Sequence, residues 1–125
     1  YQDSFAKVLS DQLHRPNKYI AVPNWQWYGG VNDRVAIGSK RACLAYASRI
    51  QLIPAYLKKT GGPLPAERFL RFCLNFHGLI PVPVRLKASR MRANGRMEQE
   101  NFKPISLGKT VRRNLESRFF SLLKY

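Results

Sequence analysis

Residues Trp27–Ala42 read "WYGGVNDRVAIGSKRA". A double glycine and an Asn-Asp-Arg triplet make a turn. The short apolar run Arg34–Gly38, "RVAIG", follows as a strand. Ser39 is a good N-cap, so a helix starts at once at Lys40. A turn, a strand and a capped helix in 16 residues imply a sheet with helices packed on it. The stretch also places an acid, Asp33, directly behind the glycines of a very basic chain. That acid either closes the turn or stands at the edge of a site.

Working outward, the pattern repeats. Upstream, Ser4–Leu13 carries Phe5, Val8, Leu9, Gln12 and Leu13 at helical spacing, and Pro16 stops that helix. "KYIAV", Lys18–Val22, is a strand, and "PNWQWYGG" is a loop unusually rich in aromatics. Downstream, a helix over Lys40–Ile53 is expected from the stripe Ala42, Cys43, Tyr46, Ile50 and Ile53, with Pro54 kinking or ending it. "KKTGGPLP" is a glycine-rich connection. Pro65 opens a further helix, "AERFLRFCLNFHG", which is expected to bury Phe69, Leu70, Cys73, Leu74 and Phe76 and to be capped by Gly78.

Beyond Gly78 the period becomes alternating. Val82, Val84, Leu86 and Ala88 face one side, and Pro81 and Pro83 mark an edge strand. Asn94-Gly95 is a hairpin signal. Residues 97–109 look irregular. Val111, Leu115, Phe119 and Leu122 define a basic amphipathic helix over Thr110–Tyr125. The expected architecture is α/β: a mixed sheet with packed helices in residues 1–109, then the C-terminal helix of 110–125. There is no internal repeat.

The 125 residues suit one domain or a piece of one, and with no initiator Met we read the chain as part of a longer or processed protein. No apolar run approaches the ~20 residues of a bilayer span. Lys and Arg number 22 against 7 Asp and Glu, a net charge of +15. Such an excess repels itself unless counter-charge is near, and phosphate is the usual source. Cys43 and Cys73 lie in apolar helical patterns and read as buried thiols. His14 and His77 have no partners at metal-ligand spacing; His77 reads as a packing or capping residue. A P-loop, a dinucleotide fingerprint, a zinc-peptidase motif and a nucleophile triad are all absent.

The scarce acids carry more information. Asp3, Asp11, Glu98, Glu100 and Glu116 read as solvated. Asp33 and Glu67 each open an element from a Gly- or Pro-rich loop, where side chains tend to face clefts. A carboxylate among Lys and Arg stays ionised, which suits a general base. The alternatives are an Asx-turn with an Arg34 salt bridge for Asp33, and a helix-dipole partner for Glu67.

"PNWQWYGGVNDRVAIGSKRACLAYASR", "LPAERFLRFCL" and "RMRANGR", in that order, resemble the acceptor-side half of GT-A nucleotide-sugar glycosyltransferases. The likeness spans about Tyr19 to Arg96, and its most specific part is Gly-Gly-x-Asn-Asp-Arg. The resemblance implies transfer of a sugar from a nucleotide sugar to a hydroxyl on a carbohydrate acceptor. It implies Asp33 as base or acceptor anchor, oriented by Asn32, and Glu67 as a second cleft carboxylate. It implies that Trp25, Trp27 and Tyr28 stack on sugar rings, that Gly29 and Gly30 let backbone approach substrate, and that Arg34 borders the cleft. Arg90 and Arg92 would face the diphosphate. A divalent cation, Mn or Mg, would be held mainly by ligands outside this chain, because Asp-x-Asp occurs nowhere in it. Pro65 also stands where many relatives carry His, so this chain alone is not expected to transfer a sugar.

The competing reading is a non-catalytic basic subunit of a ribonucleoprotein, such as an organellar ribosome, lying on RNA phosphate. Residues 85–125 carry 11 basic and 3 acidic side chains, and residues 1–84 carry 11 and 4. The charge is therefore only modestly concentrated, whereas an RNA-binding face is patchier.

Overall fold

In the computed structural model, which describes residues 3–105, Tyr19–Pro23 forms the central strand β1. Helix α1 (Phe5–Leu13) precedes it. Strand β2 (Ile37–Gly38), α2 (Lys40–Ala47), a 3-10 turn (Arg49–Leu52), α3 (Ile53–Thr60), α4 (Ala66–Phe76) and β3 (Ile80–Val84) follow. The sheet order is β2-β1-β3, with β2 antiparallel and β3 parallel to β1. The described residues thus form a small mixed α/β domain. The amphipathic helix expected over 110–125 lies outside them.

Alternation along β1 builds three layers. Ile20 and Val22 face α2 and α4, meeting Ala42, Leu70, Leu74 and Leu79. Ala21 faces the other way, with Ile37, Leu86 and Val8 of α1. Each large apolar side chain buried this way contributes about 1.5–3 kcal/mol, against about 0.5–1.5 kcal/mol for a backbone hydrogen bond. For the two-residue β2, burial of Ile37 therefore outweighs pairing.

β3 tolerates two prolines for the expected reason. The Ile80 N–H donates to the Lys18 carbonyl and the Val84 carbonyl accepts from Asn24 N–H. Residues 80, 82 and 84 thus turn their polar groups toward β1. Pro81 and Pro83 fall between them, where a missing N–H costs the ladder nothing. Pairing stops at Val84, while Leu86 stays buried. The 92–96 turn expected at Asn94-Gly95 is present, with Gly95 N–H on the Arg92 carbonyl and a bridge between Met91 and Met97.

Three expectations change. The helix over Lys40–Ile53 breaks at Ser48, and Pro54 begins a new helix, α3, instead of ending one. A proline cannot accept a helix running through it but suits a first turn. Lys58–Thr60, expected as connection, are helical because Tyr56 packs edge-on against Phe69 and Phe72, at 5.4 and 5.3 Å between centroids. In the expected strand Arg34–Gly38 only the last two residues pair.

Asp3, expected in solvent, is 8% exposed. Its carboxylate accepts from the Arg85 N–H at 3.0 Å and the Arg85 guanidinium at 3.1 Å, while its own N–H donates to the Arg85 carbonyl. The Arg85 amide, opposed by burial and aided by the guanidinium, holds this carboxyl below its ordinary value. A depressed folded pKa means stability that is present above the unfolded value, near 3.9, and lost as pH falls through the folded one. Asp3→Asn should therefore lower the urea midpoint at pH 6 and flatten its decline between about pH 5 and 3. A variant with the wild-type acid limb would show that Asp3 carries none of it.

Candidate functional site

The aromatic loop after β1 divides its rings between inside and outside. Trp25 is 1% exposed, donates its Nε1–H to the Leu86 carbonyl at 2.6 Å, and meets Phe102 edge-on. Trp27 is 7% exposed, donates to the Pro23 carbonyl at 2.7 Å, and joins the β1–α4 core. Neither ring offers a face to a ligand, which corrects the stacking role expected of both. Their indole edges are satisfied inside, so burial leaves no polar atom orphaned. Gln26 and Tyr28 take left-handed backbone angles, φ 48° and 45°, which cost energy in non-glycine residues. Between the two buried indoles and the double glycine, the chain turns Tyr28 outward, 64% exposed.

Gly29 and Gly30 differ in purpose. Gly29 has φ +78° and lies beside the Arg68 side chain. Gly30 lies against the first turn of α4: a Cβ there would fall well under 3.0 Å from the Glu67 carbonyl and the Arg68 amide. The next residue completes the joint, its Val31 N–H donating to the Glu67 carbonyl at 3.0 Å. Gly30 therefore admits a helix, not a substrate, which corrects its expected role. The Arg71 guanidinium reaches the Gly29 carbonyl at 3.3 Å.

Asn32 is buried and pins the loop, donating to the Trp25 carbonyl at 2.7 Å and accepting the Arg34 N–H at 2.9 Å. The Asx-turn weighed for Asp33 is thus made by Asn32, with both side-chain ends committed elsewhere than the Asp33 carboxylate. The Asp33 carbonyl accepts the Tyr46 hydroxyl at 2.7 Å. Burial raises the Tyr46 pKa, Arg49 opposes this, and the Asp33 charge adds to it.

Arg34 does not pair with Asp33. It pairs with Glu100, at 3.6 Å, and Arg90 reaches the other Glu100 oxygen at 3.6 Å. Glu100 had been expected in solvent, yet its side chain is 4% exposed and its buried Oε1 accepts no hydrogen bond. The cause is a long-range strap: Ile105 N–H donates to the Asn24 carbonyl, Pro104 bridges Trp25, and Phe102 covers the indole. No local pattern announces that contact. Arg92 pairs with Glu98 across the 92–98 turn. Asp3, Asp11, Glu98 and Glu100 each have a cationic partner. Among the described residues, the Asp33 and Glu67 carboxylates have neither an ion pair nor a hydrogen bond.

The Val31–Glu67 hydrogen bond ties the loop that carries Asp33 to the first turn of α4, which carries Glu67. The Asp33 and Glu67 side chains are both half-buried. The C-cap of α4 is His77, with Gly78 following it at φ 66°, and Phe76, expected in the core, is 63% exposed. Both thiols are free, but only Cys73 is buried, and burial pushes its pKa up to about 11. Among the described residues no group of His, Cys, Asp and Glu is arranged to hold a metal ion, and no helix is long and apolar enough to cross a membrane.

Compared with known proteins, the chain matches no family model, no curated protein and no solved structure.

Gly30→Ala should destabilise the domain by about 3 kcal/mol or more, since helix backbone must move. Gly29→Ala, strained only by its left-handed angle, should cost about 1–2 kcal/mol. Urea unfolding of the two variants checks the order, and a milder Gly30 variant would contradict the contact.

Proposed function

We propose that this chain is the acceptor-side half of a glycosyltransferase that moves a sugar from a nucleotide donor to a hydroxyl acceptor. The observation that carries this reading is the pair of unpartnered carboxylates. In a chain of net charge +15, every other described acid is paired. Asp33 and Glu67 alone are left open, and the Gly30–Glu67 contact joins their elements. Glu67 is open although Arg71 stands one helical turn on, because Arg71 turns to the Gly29 carbonyl. In the resemblance to GT-A enzymes, Asp33 is the acid of Gly-Gly-x-Asn-Asp-Arg and Glu67 the acid at the start of the following helix.

In this reading Asp33 accepts the proton of the acceptor hydroxyl while that oxygen bonds the anomeric carbon. The bond from that carbon to the nucleotide diphosphate breaks, and its electron pair leaves with the phosphate. Glu67 accepts a hydrogen bond from a second hydroxyl and fixes the acceptor's orientation. Tyr28 is the ring left to lie on a sugar face. The Arg34–Glu100–Arg90 cluster keeps one net positive charge for the donor phosphates, and Arg92 adds a half-exposed head. A divalent cation held outside this chain would neutralise the leaving diphosphate.

The alternative, a basic subunit lying on RNA phosphate, rests on the net charge of +15; in the run 85–96, Arg85, Arg90 and Arg92 each have a carboxylate partner, whereas the Arg96 side chain has none among the described residues.

Asp33→Asn in the full-length protein should change stability by no more than about 0.5 kcal/mol, since its carboxylate has no partner to lose, and Glu67→Gln should cost about 0.3–1 kcal/mol, since Glu67 lies at the positive end of the α4 dipole. Asp33→Asn should reduce transfer, followed as nucleoside diphosphate released with acceptor present, by about 100-fold or more. A folded Asp33→Asn variant with full activity would overturn the assignment.

A further inference from the structure

Next to Glu67 lies a cationic pair that the transfer chemistry above does not use. Arg68 belongs to the first turn of α4, where the positive end of the helix dipole disfavours a cation. Its guanidinium lies beside Gly29, at 3.4 Å from where a Cβ would stand. Arg71, one turn on, donates to the Gly29 carbonyl and so keeps its head at the same glycine. Neither guanidinium has a carboxylate partner among the described residues. The exposed Tyr28 ring is the preceding residue in the loop. Arg68 is exposed, its guanidinium has no hydrogen-bond partner among the described residues, and its place in the first turn works against the helix dipole. An anion held between the two guanidiniums would offset that repulsion.

We infer that the Arg68–Arg71 pair at Gly29 is a binding site for an anionic group carried on the acceptor sugar, a carboxylate or a phosphate. Planar guanidinium groups bind such groups through paired N–H donors. Tyr28 offers its face to the sugar ring, Glu67 accepts from a ring hydroxyl, and the arginines take the acidic substituent. The donor phosphates have a separate cation set at Arg34, Arg90 and Arg92. The inference rests on the acceptor role proposed for this loop and names its substrate class: an acidic sugar.

The test is direct binding to the full-length protein at low ionic strength, where exposed charges are least screened. The probes are glucose, glucuronate, glucose 6-phosphate and uridine diphosphate, measured by calorimetry with Arg68→Gln as the variant. Glucuronate and glucose 6-phosphate should bind about tenfold or more tighter than glucose, and Arg68→Gln should erase that preference while leaving glucose binding unchanged. Equal binding of glucose and the acidic sugars would overturn the inference and leave the transferase reading standing. Uridine diphosphate binding that falls in Arg68→Gln, with no preference among the sugars, would assign the arginines to the donor and overturn it too. No sugar binding of any kind would overturn both.

Discussion

The arrangement depends on one backbone contact. The Cα of Gly30 rests on the Glu67 peptide, and the Val31 N–H closes on the Glu67 carbonyl. Any side chain at residue 30 would force the loop off α4. With the contact made, the loop leaving β1 is bound to the start of a helix whose other residues, Leu70 and Leu74, pack on β1 itself. Strand, loop and helix close a ring of contacts, and Asp33 and Glu67 stand on either side of its last link.

That closure explains how a loop with three aromatic residues stays ordered. Two indoles act as anchors, each with its N–H on a backbone carbonyl, and the strap through Phe102 and Pro104 covers one of them. Trp burial supplies the apolar area that holds the left-handed residues Gln26 and Tyr28 in place. Tyr28 is what that strain presents to solvent. The inward part of the loop is therefore hydrophobic, the two indoles, while Tyr28 faces solvent beside the α4 arginines at Gly29.

Much of the fold was legible because its signals are local. Ser4 and Ser39 cap their helices, Pro81 and Pro83 mark the edge, and Asn94-Gly95 turns the chain. Alternation at Ile20, Ala21 and Val22 gave both faces of the central strand. What was not legible is long-range. Nothing near Glu100 shows that residues 102–105 will cover Trp25 and draw that acid between two arginines. Nothing near Asp3 points to Arg85, 82 positions away. An aromatic-rich loop looks the same in sequence whether its rings face a ligand or the core, and here Trp25 and Trp27 chose the core. The acids expected in solvent were the ones misread: Asp3 and Glu100 are drawn in by arginines, whereas Asp33 and Glu67 have no ion pair among the described residues.

The direct test of the Gly30–α4 joint is native-state amide hydrogen exchange at Val31. If the loop is bound to the helix as a structural unit, this amide exchanges only when the β1–α4 core opens. Its protection should then lie within about tenfold, or about 1.4 kcal/mol, of the Ile20 and Val22 amides. Exchange of Val31 at the rate of an open surface loop, with β1 still protected, would contradict the account.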